Sequence, residues 1–278
     1  MRHSLSIKMF GLLIALAAGF PTAASAEDFK KFSVPAKGST QTADHGAWTA
    51  LLQKYVVAGA DGLNRVRYAA FKSEAQPALK SYVAALEAAK VTALDRAEQF
   101  AYWANLYNAK TVDIILDAYP VKSIKDISLG GGVVASITGG PWKAKVLIVE
   151  GQKLSLDDIE HKILRVYFKD PRVHYAVNCA SFGCPNLGRE AFIGANLEAS
   201  LDAGAAAYIN HERGIAVKDG EVQAASIYKW FAEDFGGNAK GVLAHVRKYA
   251  SAELKQKLES ITGIDDYGYD WNLNDAPN

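Results

Sequence analysis

The chain has 278 residues, of which half are hydrophobic and 22% are charged, with 31 basic and 30 acidic side chains. This composition is typical of a globular protein, and the sequence contains no basic stripe or arginine-rich run that would indicate nucleic-acid binding. No internal repeat or low-complexity linker divides the chain, so we expect one main domain with a helical segment in front of it.

The N-terminus has the pattern of a secretory signal peptide. Basic residues precede an apolar run over residues 9–20, and small residues follow at 24–26. The apolar run is too short to span the roughly 30 Å hydrocarbon core of a bilayer. We therefore expect a signal peptide over residues 1–26, a periplasmic or secreted protein, and no transmembrane segment after cleavage.

The first half of the mature chain is predicted to be helical. Residues 27–43 are polar and aperiodic and predict a loose lead-in, whereas apolar residues recur at helical spacing over residues 45–57 and 77–89. Residues 92–95 have a capping-box signature, and the apolar pattern after them continues to Tyr119, just before a proline. This is the longest predicted helix, and we interpret it as the central one.

A glycine-rich loop and a hairpin follow the central helix. Residues 124–142 form the loop, whose length and glycines would allow a mobile lid over residues 129–141. Its glycine runs lack the spacing of a phosphate-binding loop, so we expect no cofactor. Residues 145–154 predict a hairpin that turns at Glu150-Gly151.

The remaining segments alternate between helices and strands. A second capping box at residues 155–158 predicts a helix to Phe168, and the apolar run over residues 172–178 predicts a strand. The later segments are an alanine-rich helix over 196–210, a hairpin over 214–224 that turns at Asp219-Gly220, and three helices near residues 227, 243 and 254.

These elements predict an α+β fold. We expect a small antiparallel β-sheet to pack on the long central helix, with further helices around it. We predict a domain boundary after residue 90. Residues 27–90 would form an N-terminal helical segment, and residues 91–278 would form the α+β domain.

The chain has two cysteines, Cys179 and Cys184, and both follow closely after His174 and Asn178. Thiol, imidazole and amide are the parts of a cysteine-nucleophile site, but the same residues also fit a tight disulfide loop beside a buried histidine. On the predicted strand, His174 and Asn178 would share one face. An oxidising compartment would favour pairing of the two thiols, and the sequence leaves both interpretations open.

Two predicted helices carry further polar candidates. Asn105 and Asn108 share one face of the central helix, where they either line a polar cleft or bind the backbone of a neighbouring loop. His161 and Arg165 share a face of the next helix, which is either part of the site or a solvated surface. The histidines and cysteines match no standard zinc spacing, so we expect no metal.

Five blocks of the sequence resemble the signature blocks of the DUF547 family, a family of domains of unknown function. They are residues 103–108, 161–165, 174–185, 227–231 with Asp234-Phe235, and 269–274. The resemblance runs from about residue 94 to 274, and it implies a shared site at the histidine and cysteine blocks without naming a reaction. Where many relatives carry a serine before the second cysteine, this chain has Gly183.

Our first functional hypothesis is a thiol-dependent hydrolase or acyltransferase acting on an amide or thioester of a small-molecule or peptide substrate. Cys184 would be the nucleophile with Cys179 beside it, and a helix starting at Pro185 would lower its thiol pKa. His174 would be the base, with His161 as the competing candidate. The amides of Asn178, Asn105 or Asn108 would orient the imidazole or donate to the oxyanion.

The alternative hypothesis is a non-catalytic periplasmic binding or accessory module with a structural Cys179–Cys184 disulfide. Under either hypothesis Arg165 and Asp270 are candidates for substrate binding. Asp270 lies in an aromatic tail, and we expect Tyr269 and Trp271 to be buried against the main domain. Asp270 would then find a basic or backbone partner, or orient a histidine at the edge of the cleft.

Overall fold

The computed structural model describes residues 26–129 and 140–276. The predicted signal peptide and most of the glycine-rich loop, including its predicted role as a lid, lie outside the described residues. Of the helices in the described ranges, none combines the length and the apolar character that a membrane span requires.

Three long helices and one short hairpin build the first half of the chain. These are α1 (Gly46–Tyr55), β1 (Val56–Ala58), β2 (Asn64–Val66), α2 (Tyr68–Ala88) and α3 (Arg96–Ala118). The start predicted for the second helix at Pro77 is wrong, because this proline lies inside α2. Tyr68 and Phe71 are fully buried one turn apart, and this packing extends the helix nine residues upstream of the proline.

The N-cap of α3 lies three residues later in the chain than predicted. The side chain of Asp95 accepts a hydrogen bond from the Glu98 amide at 2.9 Å, so Asp95 is the N-cap. The Thr92 hydroxyl instead donates to the carboxylate of Glu150 in a distant hairpin. The helix ends at Ala118, close to the predicted end.

The main core surrounds α3, which is buried over most of its length. Trp48 of α1 and Phe71 of α2 belong to this core, so the predicted N-terminal segment shares it with the central helix. The lead-in is not loose as predicted, because residues Ala26–Ser33 form a 3₁₀ helix. Its Phe32 is fully buried and packs edge-on against Trp103, with ring centroids 4.9 Å apart.

The second half contains shorter elements. They are β3 (Leu147–Val149), β4 (Gln152–Leu154), a π-helix (Asp158–Phe168), α4 (Val173–Ala176), α5 (Leu197–Ile209), β5 (Ile215–Lys218), β6 (Glu221–Ala225), α6 (Ile227–Trp230), α7 (Ala239–Tyr249), α8 (Ala252–Lys257) and β7 (Asp266–Gly268). Both predicted hairpins are present, and both central residues of each turn have positive φ, as in the tight turns that such hairpins use.

The α+β class is confirmed, but the strands are arranged differently from the prediction. In the described ranges they form three small sheets, β1-β2, β3-β4 and β5-β6-β7, in the last of which β6 and β7 are parallel. The main packing partners of α3 are α2, the 3₁₀ turn Gly194–Asn196 and the π-helix rather than a sheet. The predicted Ser155 capping box is confirmed, since its backbone amide and hydroxyl both bind Asp158, whose own amide donates to the hydroxyl.

The strand predicted over residues 172–178 is wrong, because the chain forms the four-residue helix α4 here. Val173 and Ala176 of α4 belong to the main core, whereas Tyr175 belongs to a second core around α5, β6 and α7. The helix is therefore buried on all sides, so it shows no polar face that distinguishes it from a buried strand. The segment with the two cysteines follows two residues after this helix, beginning at Asn178 and Cys179.

Candidate active site

The loop of residues 179–184, called the cysteine loop below, is closed by a disulfide between Cys179 and Cys184, whose Cα atoms are 6.2 Å apart. Cys184 is buried, and Cys179 is partly exposed. No helix begins at Pro185, so the predicted contribution of a helix N-terminus to the thiol is wrong. The chain instead runs without regular structure as far as the 3₁₀ turn Gly194–Asn196.

Hydrogen-bond donors surround the two sulfurs. The Cys179 amide donates to Cys184 Sγ at 2.9 Å, and the Tyr269 hydroxyl lies 3.1 Å from Cys184 Sγ and 3.2 Å from Cys179 Sγ. Burial raises the pKa of Tyr269 well above its usual range, so its hydroxyl remains protonated at neutral pH. The Ser181 hydroxyl donates to the Tyr269 oxygen, which leaves the tyrosine proton free for a sulfur.

The loop backbone is held in a strained form by neighbouring polar groups. Ala180 has a φ of +61°, which a residue with a side chain rarely adopts. Its amide donates to Asn178 Oδ1 at 2.8 Å, and its carbonyl accepts from the Asn274 amide of the tail. Gly183 has no room for a side chain, because a Cβ there would lie 2.8 Å from the ring of Tyr269. The glycine that departs from the resemblance therefore allows the close approach of this tyrosine.

His174 lies on α4 with its imidazole buried beside the cysteine loop. Its Nε2 is 2.6 Å from Asp234 Oδ2, and its ring stacks on Phe231 with centroids 4.3 Å apart. Within residues 26–129 and 140–276, no hydrogen bond reaches Nδ1. The imidazole is therefore fixed by a carboxylate at one nitrogen, while its other nitrogen is bound by none of the described residues.

Asp234 binds His174 directly and is connected to His161 by Arg165. Arg165 Nε donates to Asp234 Oδ2 at 2.5 Å, and Arg165 also donates to His161 Nδ1 at 3.2 Å. Burial raises the pKa of Asp234, but the hydrogen bonds from His174 and Arg165 lower it more, so the net pKa lies well below the usual range. Asp234 is thus anionic at neutral pH, and Arg165 acts as its counterion.

A cavity of about 240 Å³ opens beside these groups. Both cysteines, His161 and His174 line it together with the carboxylates of Asp157 and Glu160. Its remaining wall is largely aromatic and includes Tyr107, Trp142, Trp230, Phe231, Tyr269 and Trp271. The structure therefore brings four of the five predicted catalytic residues to one cavity.

The predicted asparagines lie behind the cavity and bind backbone. Asn105 exchanges two hydrogen bonds with the backbone of Phe192. Asn108 donates to the Ala176 carbonyl and accepts from the Asn178 amide, both at 2.8 Å. The side chain of Asn178 donates to the Pro185 carbonyl. Among the described residues these three amides bind main-chain groups, and none of them lines the cavity.

The tail packs on the main domain by crossing the cysteine loop, where Ser181 and Leu273 form an antiparallel bridge, but its aromatic side chains are less buried than predicted. Tyr269 and Trp271 are both partly exposed, with ring centroids 4.7 Å apart. Asp270 is exposed and accepts from the Asn272 amide, while its carbonyl accepts from the Gly183 amide. The carboxylate partner of His174 is Asp234, and Asp270 lines a different cavity.

Sequence reasoning did not assign Asp234 and Tyr269 to the site. Asp234 is 60 residues from His174 in the chain, and the signal available for it was its place in a block that resembles the DUF547 family. Tyr269 was expected to be a packing residue of the tail. No group of three or more His, Cys, Asp or Glu side chains is placed to hold a metal ion in the part of the chain that the structure describes.

Residues 91–209 match the family model described as "Protein of unknown function, DUF547". The match supports the DUF547 family for this part of the chain, which contains His161, His174 and both cysteines but not Asp234 or Tyr269. No curated protein and no solved structure matches the chain. Since the family description names no reaction, the function has to be argued from the cavity.

Proposed function

We propose that the cavity is the active site of a thiol-dependent hydrolase or acyltransferase that acts on an amide or thioester. The observation that carries this proposal is that Cys184 and His174 line the same cavity. The anionic Asp234 orients His174. A nucleophile, a base and a group that orients the base are the parts that such chemistry requires.

The disulfide has to be opened before this chemistry can begin. An external dithiol attacks one sulfur of the Cys179–Cys184 bond and then closes on itself, so that it is oxidised to a disulfide and both cysteines become thiols. In the reduced protein, the Cys179 amide and the Tyr269 hydroxyl are placed to donate hydrogen bonds to a thiolate at Cys184.

We assign the role of the base to His174 rather than to His161. The Cys184 thiol gives its proton to His174 Nδ1, and the thiolate forms a bond to the substrate carbonyl carbon. His174 then passes the proton to the departing amine or thiol, which leaves the acyl group as a thioester on Cys184. Water or another nucleophile releases the acyl group, with His174 again taking the proton.

The neighbours of the two histidines support this choice. An imidazolium at His174 would be stabilised by Asp234, which lies 2.6 Å from the ring. His161 instead accepts a hydrogen bond from Arg165, and its nearest carboxylates, Asp157 and Glu160, lie farther from its ring nitrogens, at 3.7 and 3.9 Å. His161 and Arg165 therefore serve to position Asp234 and the substrate rather than to take the proton.

The sequence also supports a periplasmic or secreted location. Residues 1–26 have the pattern of a signal peptide, and a disulfide between the two cysteines is of the kind that persists in an oxidising compartment. Reduction would then have to come from a dithiol carrier in that compartment.

The test is to trap the acyl-enzyme. Reduced protein is incubated with a simple acyl thioester, and its mass is measured by intact and peptide mass spectrometry. We expect one acyl group on Cys184, no acyl group in Cys184→Ser, and retained acylation in Cys179→Ser. Absence of an adduct in the reduced wild-type protein, or equal loss in both serine variants, would contradict the assignment of Cys184.

A second candidate function is a non-catalytic binding or accessory module with a structural disulfide. Burial of Cys184 and its bond to Cys179 favour this alternative. A count of free thiols in protein purified from its native compartment separates the two: two protected thiols and no reaction with iodoacetamide after mild reduction favour the binding module.

A further inference from the structure

A second cavity, of about 640 Å³, lies on another side of the cysteine loop. Phe182 and Gly183 of the loop line it, and Tyr269 lines both this cavity and the first one. Its basic lining residues are Arg65, His211, Arg213 and Lys218, and its acidic lining residues are Glu212 and Asp270. Both acidic side chains are exposed, so they belong to the rim.

Arg213 is the most unusual of these residues. Its guanidinium donates to the Phe182 carbonyl at 3.0 Å and to Asn186 Oδ1 at 2.7 Å. Its Nε is buried, and within residues 26–129 and 140–276 it has no hydrogen-bond partner. The salt bridges of these residues also include none to Arg213. A guanidinium has five N–H donors, so this cation has donors left over and no anion of its own.

A second guanidinium, that of Arg65, lines the same cavity. Burial lowers the pKa of Arg213, and the nearby Tyr208, Tyr269 and Asp61 only partly oppose this effect. Arg65 is paired with Asp61 at 2.6 Å, and its guanidinium lies over the Phe182 ring, 5.3 Å from the centroid. Arg65 thus has a carboxylate partner, whereas Arg213 lines the same cavity without a salt bridge to any described residue, and a bound anion would supply that partner.

His211 does not supply the missing acceptor. Its Nδ1 accepts from the Arg213 amide, and its Nε2 lies 3.0 Å from the Asp61 carbonyl. Since one ring nitrogen accepts and the other donates, the imidazole is neutral in this arrangement and fixes the Arg213 backbone. The cavity side of Arg213 therefore remains open to a ligand.

We propose that this cavity binds a small oxyanion, a carboxylate or phosphate group, between Arg213 and Arg65. Carboxylate and phosphate groups both present pairs of oxygens that match the N–H donors of a guanidinium, and each terminal nitrogen of Arg213 has a second N–H that its bonds to Phe182 and Asn186 do not use. This proposal does not depend on the proposed thiol chemistry, because it concerns a different cavity and different residues.

The site would also be connected to the cysteine loop. The donor that binds the Phe182 carbonyl belongs to the same guanidinium that would hold the oxyanion. On the opposite side of the loop backbone, the Tyr208 hydroxyl donates to the Gly183 carbonyl at 2.7 Å. An anion at Arg213 therefore contacts a group that already holds the loop in place.

The test is calorimetric titration of the full chain with inorganic phosphate and, separately, with acetate. Ionic strength is held constant with sodium chloride, so that general screening does not contribute. We expect saturable binding of at least one of the two anions by the wild-type protein. Arg213→Gln should bind at least about tenfold more weakly, because it loses a charge-assisted hydrogen bond.

Two further variants make the result decisive. Arg189→Gln is the matched control, since Arg189 is exposed and does not line the cavity, and it should bind like the wild-type protein. If Arg213→Gln does not fold, Arg65→Gln replaces it and should also bind about tenfold more weakly. The proposal is overturned if the wild-type protein binds neither anion, or if the tested cavity variant binds as tightly as Arg189→Gln.

Discussion

The cysteine loop contacts two different regions of the molecule. On one side, the tail and the asparagines of α3 bind the backbone in and around the loop. For example, the Gly183 amide donates a hydrogen bond to the Asp270 carbonyl at 2.8 Å. On the other side it faces a cavity where His174 has one nitrogen without a hydrogen bond from the described residues. Polar groups whose donors and acceptors are all hydrogen-bonded stabilise the fold. Polar groups with an unused donor or acceptor are available to a substrate.

The largest effect is expected from removing the tail. Deletion from Tyr267 onward removes Tyr269, Trp271 and the buried Leu273, together with the backbone bonds from the tail to the cysteine loop. We expect a loss of roughly 5 kcal/mol or more, which corresponds to a melting temperature lower by about 10 °C or more. Thermal unfolding followed by circular dichroism measures it.

A single substitution in the tail should cause a smaller loss of stability of the same kind. Leu273→Ala should cost about 2–4 kcal/mol, since it removes a buried side chain while keeping the backbone of the tail. An unchanged melting temperature in both the deletion and the point variant would show that the tail does not hold the loop, and the comparison between its two sides would fail.

The next effect concerns the asparagines of α3. Asn108→Ala leaves the Ala176 carbonyl and the Asn178 amide without partners in a buried setting, which should lower the free energy of unfolding by roughly 3 kcal/mol. The matched change on the cavity side is His161→Ala, where the side chain is partly exposed and the cost should stay below about 1 kcal/mol. Urea unfolding of the two variants compares them directly, and equal costs would contradict the distinction.

An effect that is smaller for each pH unit should appear in the pH dependence of stability. Burial lowers the pKa of His45 to about 4, although Asp44 opposes this, and burial and Lys248 lower the pKa of His245 to about 4. The unfolded chain therefore binds more protons than the folded one between about pH 6.5 and pH 4. The stability from these neutral histidines is fully present above about pH 6.5 and is lost progressively as the pH falls towards 4.

Urea unfolding at pH 7, 5.5 and 4.5 tests this slope. The wild-type protein should lose up to about 1.4 kcal/mol per pH unit for each of these two histidines. His45→Gln should show a shallower slope by about one proton, because it no longer takes up a proton on unfolding. An identical slope in the variant would show that His45 does not remain neutral in the folded protein.

The sequence predicted the local features well. The Ser155 capping box, the two hairpin turns and the end of the central helix depend on residues a few positions apart, and all four are present. The cysteine, His161 and His174 blocks were also assigned to one site, and these side chains line one cavity.

The features that the sequence did not predict depend on distant contacts. The strand over residues 172–178 was expected from an apolar run, but α4 lies between two cores and is buried on every side, so the pattern could not distinguish helix from strand. The pairing of His174 with Asp234 joins segments 60 residues apart. Asn105 and Asn108 could not be assigned without knowing which backbone groups they face.

The proposed chemistry depends most directly on the coupling of Cys184 to His174 and Asp234. The decisive measurement is the pH dependence of iodoacetamide alkylation at Cys184 in the reduced protein, read by peptide mass spectrometry. The matched control for Asp234→Asn is Asp157→Asn, because Asp157 also lines the cavity but does not bind His174.

We expect alkylation of Cys184 in the wild-type protein to have a midpoint pH below the value of about 8.5 for a free cysteine. Asp234→Asn should raise that midpoint and slow alkylation at pH 7 about tenfold, while Asp157→Asn should stay close to the wild-type protein. A midpoint at or above about 8.5 in the wild-type protein, unchanged in Asp234→Asn, would contradict the assignment of this cavity as a thiol-dependent active site.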